Sequence, residues 1–160
     1  MGLRRTRDAE GAAAVEFALV APLLFLAMFG IIQYGLYFFD AHGTRTGVRE
    51  AARLGVVKTF SACDAYTADL DKLRCTTKKL VDPLTGPIAV KVHAPEGWDT
   101  GKPLVVCAMV QSAGPIGLLP MPDDGLITSK TQMSIEQVPA PATLSSEDTA
   151  LSGADWSWCD

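Results

Sequence analysis

A single acidic residue, Glu16, lies near the start of a long apolar stretch and is the side chain there most able to take part in chemistry. It is the only charged residue between Gly11 and Phe39. An ionised carboxylate in hydrocarbon is costly, and intramembrane ionisable residues are usually paired with another group. If this stretch lies in a bilayer, Glu16 therefore requires a cation close by.

The apolar stretch has the length of a membrane-spanning helix. From Phe17 to Phe39 it contains 23 residues without a charge, mostly Leu, Ile, Phe and Ala. At about 1.5 Å per residue, a helix of this length crosses the roughly 30 Å hydrocarbon core of a bilayer. The stretch ends in aromatic residues, which are typical of the membrane interface. We therefore predict one transmembrane helix.

Three interpretations of the N-terminal region account for this hydrophobicity. A cleaved secretory signal, cut near Gly43, would need a shorter apolar core than this one. A plain signal anchor fits the length but leaves Glu16 unexplained. In the third interpretation, a short leader with arginines (residues 1–11) ends at a glycine cleavage site, and a hydrophobic helix follows with a glutamate near its start.

Two motifs favour the third interpretation. Gly11, Glu16 and Phe17 have the spacing Gly-x-x-x-x-Glu-Phe, and the run Gly47–Gly55 contains Ala-Ala-Arg-x-Gly. Together the motifs resemble the TadE/TadF-type pseudopilins of the tight-adherence (Flp-type) pilus system. The resemblance covers residues 10–55 well and the rest of the chain only in outline.

The resemblance implies proteolytic processing followed by assembly. In that family a prepilin peptidase, a membrane aspartyl protease, cuts after the glycine, so Ala12 would become the first residue and Glu16 the fifth. A freed α-amino group has a pKa of about 8 and is largely cationic at neutral pH. The amine of one subunit could then neutralise Glu16 of its neighbour at nearly the same membrane depth. The alternative is that Glu16 reaches the headgroups from the first helical turns.

The whole chain is predicted to be an α+β protein. A long N-terminal transmembrane helix continues toward a small pilin-like head, which has a second helix and an antiparallel sheet of three or more strands. The predicted segments are a leader (1–11), a membrane and assembly helix (12–39), an extracytoplasmic head (40–138) and an acidic tail expected to be flexible (139–160).

Hydrophobic periodicity places the elements of the head. An amphipathic helix can continue from Arg45 to Phe60, with a bend expected near Gly43 and Gly47. Asp64 is a candidate N-cap for a second helix that runs to about Leu80. Strand patterns follow in three places: 88–93, 104–111 and 131–138.

The four cysteines all follow the apolar stretch, and an even number outside the cytoplasm is typical of disulfides. Three pairings are possible. We favour Cys63–Cys75, which closes a short loop, and Cys107–Cys159, which holds an otherwise loose tail. Four free thiols are the alternative. The chain has no Cys-x-x-Cys and only two histidines, so we predict no metal site and no cofactor.

The apolar run Gly114–Pro122 contains too many prolines for a regular helix. If exposed, it would suit a partner or the membrane surface; if buried, it would cover the core of the head, which we slightly favour. Trp156 and Trp158 pose the same question, because a disulfide at Cys159 would fold them back onto the head.

Neither catalysis nor nucleic-acid binding is indicated. His42 and His93 have no nucleophile pattern beside them, and no glycine-rich phosphate loop is present. The formal net charge is −4, which argues against a broadly basic nucleic-acid-binding surface.

The resulting hypothesis is a minor pilin or pseudopilin of a tight-adherence type IV-like pilus, active in pilus assembly, adhesion or secretion. Its expected partners are a prepilin peptidase, other pilin or pseudopilin subunits, the tight-adherence membrane platform and the lipid bilayer. The resemblance and the cysteines place it in the bacterial cytoplasmic membrane as a single-pass protein, with its N-terminus inside and its head outside. The alternative hypothesis is an unprocessed signal-anchored envelope protein whose head binds a partner or polymer.

Overall fold

One helix connects the apolar stretch to the head. The computed structural model describes residues 5–60, 63, 65–113, 117, 119–151 and 153–160, with side chains described from residue 11 onward. Helix α1 (Arg5–Val56) includes Pro22 and passes without a break through Gly43 and Gly47. The predicted amphipathic helix is therefore the C-terminal part of α1, and it ends four residues earlier than expected.

The head contains a second helix and a four-stranded antiparallel sheet, which confirms the predicted α+β class. The strands lie in the order β3-β2-β1-β4. Along the chain the elements are α2 (Asp69–Val81), β1 (Ile88–His93), β2 (Pro103–Gln111), β3 (Leu126–Ser134) and β4 (Ser145–Glu147).

Two predicted elements begin at the wrong place. Asp64 lies outside the described residues, and α2 begins only at Asp69. The third strand runs over Leu126–Ser134 instead of 131–138, because Ser134 already pairs with Pro103 at the start of β2. Beyond it, Ile135 bonds to the loop before β2 rather than to the strand, with its N–H 2.8 Å from the Lys102 carbonyl. The apolar alternation that placed the strand at 131–138 thus reflects burial of Ile135 in the core.

Small residues allow α1 to pack closely against the head. Ala51 and Ala52 are fully buried. A Cβ added at Gly47 would lie 2.8 Å from backbone atoms of Leu80 in α2, and one at Gly55 would lie 2.6 Å from the Leu73 side chain. The buried residues of α1 and α2 form one core with the apolar side chains of the sheet. The C-terminal part of α1 is therefore an integral part of the head.

The C-terminal segment covers the opposite face of the sheet, contrary to the expectation of a flexible tail. Its strand β4 pairs with β1. Cys159 is fully buried against Cys107 and Val105 of β2, with Trp156 and Trp158 packed on the same cluster. The structure joins Cys107 to Cys159, and Cys63 to Cys75, which is the pairing favoured from the sequence.

Ion pairs also hold the C-terminal segment. Lys91 of β1 contacts Asp160 at 2.6 Å. Burial opposes the charge of Lys91, but its hydrogen bond and attraction to Asp160 leave its pKa raised. The hydrogen bond from Lys91 in turn lowers the pKa of Asp160.

The protonation of His93 and of Asp160 makes the stability of the head depend on pH on the acidic side. Burial, together with the charge of Lys91, lowers the pKa of His93 and favours the neutral ring. Because the folded state favours neutral His93 and ionised Asp160, their contributions to stability fall on acidification. The loss begins with His93 below its usual pKa of 6.5 and continues with Asp160 below 3.8.

We predict that Gly47→Ala destabilises the head, because its Cβ would meet the α2 backbone at 2.8 Å. Overpacking of this kind typically costs about 1–3 kcal/mol, which exceeds the gain in helix propensity of about 1 kcal/mol. Thermal unfolding in detergent measures the effect. The matched control is Gly43→Ala on the same helix, whose Cβ would lie 3.5 Å from the nearest atom. Equal stability of the two variants would contradict the close packing described here.

We predict that replacing both Cys107 and Cys159 by serine releases the C-terminal segment and costs about 2–5 kcal/mol of stability. Trp156 would lose the hydrogen bond from its indole Nε1 to the Asp148 carbonyl, and the tryptophan emission would shift to the red. The double serine variant of Cys63 and Cys75 is the control, since that bridge does not contact this tryptophan cluster. An unchanged emission spectrum in the first variant would argue against the packed segment.

Candidate functional site: the N-terminal segment of α1 and its junction with the head

The residues of the predicted cleavage and assembly motif lie in the N-terminal part of α1. Gly11, Ala12, Glu16 and Phe17 are all exposed, and Phe17 retains 65% of its accessible surface. A Cβ added at Gly11 would meet no atom within 4 Å. The motif is therefore a free surface of the described chain, available to other molecules.

Glu16 lies on a part of α1 whose large apolar side chains are exposed. With the other described residues it makes no hydrogen bond and no ion pair. The exposed side chains around it would lie in lipid or against other helices: Val15, Phe17, Leu19, Val20, Leu23 and Leu24. If this part of α1 lies in a bilayer, a partner for Glu16 would have to come from beyond the described part of the chain.

The predicted scissile bond, between Gly11 and Ala12, is inside the helix. Glycine in a helix interior is about 1 kcal/mol less favourable than alanine. Local opening of α1 at Gly11 is therefore easier than at its neighbours Ala12, Ala13 and Ala14, which are the best helix formers. A glycine would therefore suit the cleavage site that the sequence predicts here.

At the other end of the apolar stretch, α1 contacts the loop between β2 and β3. The Gln33 side chain donates from Nε2 to the Leu119 carbonyl at 2.6 Å and accepts the Leu119 N–H at Oε1 at 3.2 Å. The Tyr34 hydroxyl donates to the Pro120 carbonyl at 2.8 Å. The amide of Gln33 thus has a partner within the chain for both its nitrogen and its oxygen, and the residue is 1% exposed.

Asp40 fixes α1 to the head at the end of the apolar stretch. Its carboxylate accepts the Leu84 N–H at 3.0 Å, the Thr85 hydroxyl at 2.5 Å and the Ser112 hydroxyl at 3.2 Å. The residue is 1% exposed. Three donors from two different loops therefore compensate for the burial of this carboxylate.

Sequence reasoning missed both of these junction residues. Asp40 is the first charge after the apolar stretch, and Gln33 is the only amide side chain within it. Their positions were a usable signal, because a polar group at a membrane boundary must be solvated or bonded. Their partners in the head, however, are 44 or more residues away in sequence and could not be identified from spacing alone.

The second motif, Gly47–Gly55, forms the packed part of the junction. Its alanines and glycines face α2 and the sheet, as described above, whereas Arg49 and Arg53 are exposed on the other side with Arg45. Arg53 lies 3.7 Å from Glu50, in a solvent-exposed pair. The apolar half of the motif therefore has a structural role, and the arginines form a basic stripe open to solvent or to partners.

The predicted cysteines lie far along the chain from the cleavage motif, in the two disulfides of the head. Among the described residues, no group of three or more His, Cys, Asp or Glu side chains could hold a metal ion. His93 lies with Nδ1 3.9 Å from Sγ of the disulfide-bonded Cys159, and His42 is exposed on α1.

Within the described residues, α1 is the one helix that is long and apolar enough to cross a membrane. Its most apolar window has a mean hydropathy of 2.4 and only 11% of it is buried. The core helix of a soluble protein would be mostly buried, so the low burial favours a membrane anchor over that explanation.

Of three comparisons with known proteins, one found a match, and it lies within α1. No curated protein and no solved structure is significantly similar to the chain. The family model of TadE-like proteins matches residues 11–53, the part of α1 from the candidate cleavage site to the last arginine of the stripe. The chain is therefore TadE-like over residues 11–53, which relates it to the tight-adherence pilus system and confirms the resemblance drawn from its motifs.

Proposed function

We propose that this protein is a minor pilin or pseudopilin of a tight-adherence type IV-like pilus. A prepilin peptidase cuts it between Gly11 and Ala12, and the processed subunit acts in pilus assembly, adhesion or secretion. The TadE-like match over residues 11–53 supports the pilus system. We assign the protein an assembly role and no catalytic activity of its own.

The observation that carries this proposal is the contrast among the polar residues of the apolar part of α1. Gln33 donates to and accepts from the β2–β3 loop, and the carboxylate of Asp40 accepts three hydrogen bonds from the head. Glu16 is exposed and has no partner among the described residues. A group left unsatisfied in an apolar setting is costly, so Glu16 is the position that requires a second molecule.

Processing would supply the missing cation. Cleavage after Gly11 makes the α-amino group of Ala12 the first group of the helix, four residues or about 6 Å along the axis from Glu16. The amine of one subunit can then reach the carboxylate of a subunit displaced by a small axial step. The exposed apolar side chains next to Glu16 pack against the other pilin or pseudopilin subunits.

The proposed orientation has the N-terminus in the cytoplasm and the head outside the cytoplasmic membrane. Two disulfides in the head support it, since such bonds persist in oxidising compartments. The expected partners in the membrane are the prepilin peptidase, the tight-adherence platform and the bilayer itself.

Mass spectrometry of the mature protein from its native membrane tests the processing step. We expect an N-terminus at Ala12. The variant Gly11→Leu should keep residues 1–11, because a branched side chain replaces the glycine at the cleavage site while its Cβ meets nothing within 4 Å in the fold. An unprocessed N-terminus in the wild-type protein would favour a signal-anchored envelope protein, and an N-terminus near Thr44 would favour a secreted domain.

We predict that Glu16→Ala reduces incorporation into the assembly at least about tenfold, which corresponds to a loss of only about 1.4 kcal/mol. Membrane insertion should persist, since removal of a charge makes the helix more apolar. Quantitative blotting of membrane and pilus or platform-bound fractions measures both. The control is Glu50→Ala, which removes a partly exposed carboxylate of α1 with a weak ion pair. Normal assembly of the Glu16 variant would exclude the proposed role of this residue.

A further inference from the structure

The loop between β2 and β3 extends along α1 toward the N-terminal end of the helix. The loop leaves β2 at Ser112, beside Asp40, and returns at Gly125, whose carbonyl accepts the Ser112 N–H at 2.8 Å. Between these points it reaches Gln33, seven residues before Asp40 in α1. At about 1.5 Å per residue, the loop descends roughly 10 Å along the apolar part of the helix.

The side chains at this turn of the loop are apolar and contact α1 directly. Leu119 is half-buried, and its Cδ1 would lie 3.0 Å from a Cβ added at Gly30. Pro120 is exposed beside it. Neither residue is part of the core cluster that joins the sheet to the helices. The described part of this loop therefore covers α1, and the sequence expectation that the loop covers the core of the head is wrong for these residues.

The backbone polar groups of Leu119 and Pro120 are hydrogen-bonded within the protein. Gln33 bonds both the N–H and the carbonyl of Leu119, and Tyr34 bonds the carbonyl of Pro120. Pro120 has no N–H to satisfy. With no water in the hydrocarbon region, irregular backbone there must have its polar groups bonded within the protein or facing a water-filled cavity.

The positions of the charges mark a boundary at the level of Asp40. On α1, Glu16 is the only charged residue from Gly11 to Phe39. On the loop, the charged Asp123 and Asp124 are exposed next to Gly125, at the level where the loop returns. Between the levels of Gln33 and Asp40, the described residues of both segments carry no charge. The apolar part of α1 and the described part of the loop therefore both end at the level of Asp40.

We propose that the turn at Leu119–Pro120 is immersed in the head-side leaflet of the lipid bilayer, with the edge of the hydrocarbon at the level of Asp40. The surface is continuous with the lipid-facing part of α1, and its partner is the acyl region of the bilayer. The proposal rests on α1 spanning the membrane and goes beyond the assembly role, since it gives the head a membrane contact of its own.

A single fluorescent label tests this placement. The four native cysteines are all in disulfides, so an introduced cysteine is the only free thiol. We would place an environment-sensitive dye at Pro120→Cys or Leu119→Cys and reconstitute the full chain in phosphatidylethanolamine–phosphatidylglycerol vesicles. Quenching is then measured with lipids that carry a nitroxide on the acyl chain and with iodide on both sides of the membrane.

Two further labelled positions serve as references. Leu26→Cys is exposed on the apolar part of α1, and Thr100→Cys is exposed on the β1–β2 loop at the far end of the head. We expect the labels at 119 and 120 to be quenched by the nitroxide lipid as strongly as the label at 26, and to be protected from iodide. Quenching like that at position 100 would overturn the proposal. If the label at 26 also behaved like that at 100, the membrane placement of α1 itself would fail.

The variant Gln33→Leu provides a second test in the same vesicles. It keeps an apolar side chain against the loop but leaves the N–H and carbonyl of Leu119 unpaired. Because unpaired backbone groups are costly in hydrocarbon, we expect the label at position 120 to become more accessible to iodide. A turn that lies in water would regain these bonds from solvent, and an unchanged iodide accessibility would therefore contradict the proposal.

Discussion

The close packing of one helix against the head is the constraint on which the rest of the structure depends. Helix α1 must present apolar side chains to its surroundings along its first half and to the core of the head along its second. Gly47 and Gly55 have no room for a Cβ against α2 and the sheet. The glycines and alanines of the TadE-like region therefore determine how closely the head packs on the helix. The disulfides and the C-terminal segment then stabilise the head itself.

Local patterns in the sequence were sufficient for the elements with a single clear periodicity. The charge-free stretch from Phe17 to Phe39 predicted the long helix, and the alternation at 88–93 predicted β1 with its correct bounds. The third strand was misplaced because Ile135 is buried by the helix and the loop before β2, although it lies outside the strand. A buried apolar residue outside a sheet cannot be distinguished, in the sequence, from one within a strand.

The remaining features depend on contacts between distant residues, which no local pattern encodes. The acidic and small residues after 138 suggested a flexible tail, but Asp148 is paired with Lys78 of α2 at 2.9 Å and accepts the Val90 N–H at 2.9 Å. The partners of Gln33 and Asp40 were hidden for the same reason. In contrast, the candidate site at Gly11 and Glu16 could be proposed from spacing alone, because its motif lies within one short run of the sequence.

Each end of the apolar stretch carries a carboxylate that needs hydrogen-bond donors or a cation, and the two ends differ in where these partners come from. Glu16 and Asp40 are 24 residues apart, or about 36 Å along the helix, which is slightly more than the roughly 30 Å of hydrocarbon in a bilayer. If α1 spans a bilayer, each carboxylate therefore falls near one edge of the hydrocarbon. Asp40 is satisfied by the head of its own chain, so it fixes the helix to the head without any partner. Among the described residues Glu16 has no such partner, and for this reason the proposed assembly role is assigned to this end of the helix.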